Sequence, residues 1–86
     1  MVSDNKISND PPKQKINSIL QLLNSNKLIE AKKEVNQQLL IYINSSILFN
    51  ILGAVLVGQN KLQEAVESYN MSIKINPNYF QAYNNL

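Results

Sequence analysis

Asn26-Lys27-Leu28-Ile29-Glu30-Ala31 returns as Asn60-Lys61-Leu62-Gln63-Glu64-Ala65, with one residue changed, after a step of 34 residues. A fixed step of that size marks a stacked repeat array, in which each unit buries its apolar face only against its neighbours. Such arrays build surfaces from side chains and seldom carry out chemistry themselves. The residues around the two copies read as helices. Asp10-Pro11-Pro12 opens the first, with Asp10 as cap and Pro11 at the first helical position. Its apolar stripe, Ile16, Ile19, Leu20 and Leu23, keeps i, i+3, i+4, i+7 spacing. Asn24-Ser25-Asn26 then breaks the pattern.

A second helix is predicted over 27–42, with Leu28, Ala31, Val35, Leu39 and Tyr42 on its apolar side. Asn44-Ser45-Ser46 supplies caps for a third, over 46–57, which is apolar nearly all round and so predicted to be buried on more than one side. In the turn after it, Gly58 or Asn60 can take positive φ at low cost. The fourth helix, over 62–75, buries Leu62, Ala65, Val66, Tyr69, Ile73 and the flank of Ile75, and Asn76-Pro77-Asn78 ends it. A fifth starts near Tyr79. Nothing reads as strand. The fold class is therefore all-α, an α-solenoid of antiparallel helix-turn-helix units.

The chain has 86 residues, room for one small domain, and a formal charge of +2. All its cations are lysines, and Arg, His and Cys are absent. The bidentate guanidinium fork, the usual proton shuttle, the thiol nucleophile and the commonest transition-metal ligands are thus missing. No cofactor and no metal are expected. No run approaches the roughly 20 apolar residues that span a bilayer, and residues 1–10 read as a polar tail of mixed charge, unlike a signal peptide. A cytoplasmic location and no membrane contact are expected.

Residues 46–79 resemble a tetratricopeptide repeat. Large Phe49, the pair Leu52-Gly53, large Leu56, small Ala65, aromatic Tyr69, small Ser72 and Pro77 stand in that family's order and spacing. Residues 80–86 restart the pattern with Tyr83 and Leu86. Residues 12–45 look like a worn copy: Leu22, Leu28, Ala31 and Val35 fit at the plain 34-residue offset, whereas Lys15 and Ser18 stand where Phe49 and Leu52 stand. Moving the first helix by one residue puts Ile16, Ile19, Leu20 and Leu23 into the slots, so a one-residue deletion in its first turn is expected. Gln38 replaces the small residue, and no proline closes the copy. The resemblance spans 11–86. Tyr83 and Leu86 leave apolar positions open, so the chain is expected to be the N-terminal fragment of a longer repeat protein.

The resemblance implies a protein–protein interaction module with no catalytic residues. In this family the first helix of each pair lines a concave groove. Carried over, that gives Ile47, Asn50, Ala54, Val57 and Gly58 in the better copy, and Lys13, Ile16, Leu20, Leu23 and Asn24 in the worn one. The groove is mostly apolar, with Asn50 as a polar contact for a peptide or helix of a partner. One subfamily grips chaperone C-terminal carboxylates with Lys, Asn and Arg, but Ile51 and Ala54 stand at such positions here, so that ligand is not expected. Two alternatives stay open. The repeats could lead a larger enzyme, as they do in some bacterial glycosyltransferases and sulfotransferases, or they could mediate self-association through the exposed apolar ends.

Other patterns carry little. Glu30 and Glu34 share a helix face, and Lys27 and Lys33 lie within reach of Glu30, which reads as a solvated, salt-bridged surface. Lys27, Lys32 and Lys33 are interleaved with those acids and lack aromatic or Arg companions, so nucleic acid is not an expected partner. Asn44-Ser45-Ser46 and Asn70-Met71-Ser72 match the glycosylation acceptor pattern by chance in an Asn-rich chain.

Overall fold

The computed structural model of the chain describes residues 9–78. They form four helices, α1 Lys13–Asn24, α2 Leu28–Ile41, α3 Ser46–Gly58 and α4 Leu62–Ile75, and the described residues contain no strand. The 1–8 part of the predicted tail and the predicted fifth helix lie outside the described residues.

The repeated hexapeptide is a hinge written in backbone hydrogen bonds. After α1, Lys27 N donates to Leu22 O at 2.9 Å and Asn26 N to Leu23 O at 3.0 Å; after α3, Lys61 N donates to Leu56 O at 2.8 Å and Asn60 N to Val57 O at 2.9 Å. This pair of bonds is a Schellman ending, and it needs one left-handed residue. Asn26 and Asn60 supply it, at φ 61° and 62°. Gly58 does not; it is the last residue of α3. Lys27 and Lys61 then serve as the N-caps of α2 and α4, their carbonyls accepting from Ala31 N and Ala65 N. Glu30 and Glu64 fall in the first turn of each second helix, where a negative charge meets the positive end of the helix dipole.

The start of α1 differs from expectation. Pro12, with ψ 150°, is the N-cap, and its carbonyl accepts from Lys15 N and Ile16 N. Pro11 precedes a proline, which disfavours the helical region for it, so the helix cannot begin there. No side-chain cap hydrogen bond closes the start of α1. Asp10 Oδ1 accepts instead from Ser45 Oγ at 2.6 Å, and Ser45 Oγ caps α3 by accepting from Leu48 N.

Helix α3 is central, as its all-round apolar sequence predicts. Leu48, Ile51 and Val55 join Ile19, Ala31 and Val35 in one buried cluster, while Leu56 joins Ala65 and Tyr69 in a second, and Leu52 packs against both. Leu62 and Val66 depart from the prediction: they are 57% and 44% exposed. Their face of α4 has no described helix over it. The matching face of α2 does: Leu28 lies against the end of α3, its Cδ1 2.9 Å from where a Cβ on Gly58 would stand.

From the turn back to Ile19 the first pair keeps the plain 34-residue register, while α1, starting at Lys13 against Ser46 of α3, is one residue shorter at its start than that offset gives. Both turns superpose residue for residue in sequence, and Ile19, the buried residue of α1, stands 34 before Gly53. The worn slots are explained by exchange of volume. In α3–α4, a Cβ on Gly53 would lie 2.5 Å from Tyr69 Cε1; one repeat earlier the same two positions hold Ile19 and Val35, both fully buried. The bulk that Tyr69 carries alone in one pair is divided between two side chains of the same buried cluster in the other. Lys15, in the slot of Phe49, reaches α2 by an ion pair to Glu34 at 3.4 Å, and exposed Ser18 donates to Lys15 O.

Candidate functional site

Two surfaces flank α3. The first is the one implied by the repeat resemblance, on α1 and α3. Ile16, Leu20 and Ile47 are half-buried and packed against the first core cluster. Ala54 is half-buried, and Val57 is 45% exposed. Asn50 is only 8% exposed, so a partner would meet its edge and not a free amide. These side chains offer apolar contact and shape. None is a nucleophile, a base or a metal ligand.

The second surface is a cleft of about 340 Å³ between α2 and α4, open to solvent. Phe49, Leu52 and Leu56 of α3 form its floor; Lys32 and Asn36 stand on the α2 side, and Glu64, Glu67 and Met71 on the α4 side. Sequence reading passes over it, because a polar residue lining a cleft gives the same pattern as one facing open water. The available signal is Glu64, Glu67 and Met71 at i, i+3, i+7, a continuous ridge along α4. A third hollow, about 580 Å³, lies beside the repeated turns and is lined by Asn26, Lys27, Leu28, Gln59 and Lys61 among others. The Gln59 Oε1 atom is buried without a hydrogen-bond partner.

Glu30 makes no ion pair with Lys27 or Lys33; the described salt bridge is Lys15–Glu34, between helices. A pair within one exposed helix is worth only a few tenths of a kcal/mol, too little to hold two long side chains together. The acceptor-like triplets gain a structural reason. Their final residues, Ser46 and Ser72, hydrogen-bond to each other in the buried crossing of α3 and α4. Among the described residues no three potential metal ligands of the His, Cys, Asp or Glu type come together, and no helix is long and apolar enough to cross a membrane.

Burial raises the Tyr69 phenol above its ordinary pKa of 10.0. Folding therefore favours the neutral phenol: this contribution is fully present below pH 10 and is lost as pH rises through the raised value. Denaturant stability compared between about pH 9 and pH 12 is expected to fall further in the wild type than in Tyr69→Phe. Lysine deprotonation occurs in both chains and cancels in the comparison. Equal slopes would mean that the ring carries no such linkage.

A family model described as a TPR repeat matches residues 53–86. It covers the second half of α3 and all of α4, and ends with residues 79–86, which lie outside the described stretch. With the helix pairs already in place, that match makes residues 53–86 similar to a tetratricopeptide repeat. Repeats of this family generally act as protein–protein interaction modules and are themselves non-catalytic scaffolds. No curated protein and no solved structure matches the chain.

Proposed function

We propose that the chain is a docking module whose α1–α3 face receives a peptide or helix of a partner protein. The supporting observation is that five apolar side chains on the two first helices, Ile16, Leu20, Ile47, Ala54 and Val57, keep part of their surface open. Apolar surface of this kind, held on rigid helices, fits the helix-in-groove and extended-peptide modes of recognition. Affinity then comes from apolar burial, and register from the few polar edges, Asn50 included.

The test uses a displayed random peptide library selected on the immobilised chain. Peptides of the expected class perturb backbone resonances of α1 and α3, and lose about tenfold in affinity against Val57→Lys, which places a charge in the apolar contact. Selected peptides that perturb neither helix would remove the reading. A second reading, self-association, is favoured by exposed Leu62 and Val66 on α4. Sedimentation over a wide concentration range decides it, and a strictly monomeric chain would exclude it.

A further inference from the structure

We infer that the α2–α4 cleft is a second, separate docking surface, shaped for a basic amphipathic peptide with one apolar anchor. It does not depend on the α1–α3 face. At 3.6 residues per turn, Phe49, Leu52 and Leu56 lie nearly opposite Ile47, Asn50, Ala54 and Val57 around α3, so one ligand cannot occupy both.

Size sets the first requirement. Ligand-sized pockets begin at roughly 300 Å³, and this one is about 340 Å³. It accepts one or two side chains of Leu, Met or Phe size and no larger body. The floor suits them: Phe49 and Leu52 are half-buried and Leu56 almost wholly so. Met71, at the lip, is 40% exposed and has the flexible, polarizable thioether that adapts to an incoming side chain.

Charge sets the second. Glu64 and Glu67 stand together on the α4 side, both exposed. Neither takes part in the described salt bridge, so both carboxylates remain available. Lys32 on the facing side balances one charge at most. The rim is locally acidic although the whole chain carries +2. An anchor seated on Phe49 and Leu52 would bring a Lys or Arg one helical turn away toward the two carboxylates, and Arg would engage them best. The same rim repels an acidic peptide, which gives selectivity as well as attraction.

The experiment is the same displayed library, with the selected peptides synthesised and measured by fluorescence polarisation against four chains. A class carrying an apolar residue and a Lys or Arg about one helical turn apart is expected. Against Glu64→Lys/Glu67→Lys that class should bind about tenfold or more weakly, the range of a lost charge complementarity. Against Lys32→Glu it should bind several-fold more tightly, because the opposing charge becomes a third attractive one. Val57→Lys should leave it unchanged. The gain with Lys32→Glu cannot arise from misfolding, so it protects the result against a destabilised variant. Absence of the class, indifference to the charge reversal, or weakening by Lys32→Glu would each overturn the inference. Loss with Val57→Lys alone would instead assign the peptides to the α1–α3 face, and would also overturn it.

Discussion

Gly53→Ile and Tyr69→Val are each expected to destabilise the chain strongly, and the two together far less than their sum. The reason is the close crossing of α3 and α4. Even a methyl group on Gly53 would stand 2.5 to 2.7 Å from three atoms of the Tyr69 ring, well inside contact distance. Isoleucine there must displace a ring that is 3% exposed, and overpacking of that kind costs about 3 kcal/mol. Tyr69→Val alone empties most of the ring's space, a loss of about 3 kcal/mol for a large-to-small change in a core. A small repeat domain has little more than that to lose. The double variant, however, recreates at this crossing the combination the chain already uses one repeat earlier, where Ile19 and Val35 are both fully buried. Its loss is expected to be about 3 kcal/mol, which means a coupling of about 3 kcal/mol between the two sites. Denaturant midpoints of the four chains measure it. Strictly additive losses would show that the two repeats do not share a crossing geometry.

That volume exchange also shows where the sequence is transparent and where it is not. Turns are legible because they need particular backbone conformations. Asn60 is one of two candidates for a left-handed residue in its turn, Asn26 repeats it 34 residues earlier, and the boundaries of α2, α3 and α4 follow to within a residue. The central place of α3 is legible too, since a helix apolar on all sides has to be covered on more than one. Slot-by-slot comparison fails for α1, because packing limits what two neighbouring positions fill together and not the size of either member. Ile19 looks out of place until Val35 is considered with it. Asp10 is misread for a different reason. Its partner, Ser45, is 35 residues away, and local capping rules see only the next few positions. The α1–α3 face becomes visible through the repeat pattern, whereas the α2–α4 cleft has no such pattern. Its charged walls look like any solvated helix surface until two helices are placed side by side.

Ser72→Leu should be at least as damaging as either change at the Gly53 crossing, and Ser72→Ala should not. Ser46 Oγ donates to Ser72 O at 2.9 Å, and Ser72 Oγ donates to Ser46 O at 2.8 Å. The two residues are 7% and 0% exposed, so these bonds tie the start of α3 to the last turns of α4 away from water. Removing one hydroxyl loses a hydrogen bond but leaves the backbones free to stay close, at a cost of about 1 kcal/mol. Leucine adds two heavy atoms where the helices nearly touch, and it also strands the Ser46 hydroxyl as the backbones part. Overpacking of about 1–3 kcal/mol and a buried polar group without its partner, another 1–3 kcal/mol, together make about 4 kcal/mol. The Ser46→Ala/Ser72→Ala pair separates the two causes. If the hydrogen bonds dominate, the double variant loses about the sum of the two single variants, since each hydroxyl donates to a backbone carbonyl that alanine leaves in place. If closeness dominates, all three alanine variants stay near wild type and only leucine unfolds the crossing. Thermal melts of the wild type and these four variants distinguish the outcomes, and a Ser72→Leu chain as stable as wild type would refute the close approach itself. The consequence reaches function, because this crossing holds α3 at a fixed angle to α4. Loosening it would move Phe49 and Leu52 relative to Glu64 and Glu67, and the α2–α4 cleft would lose its shape before the α1–α3 face does.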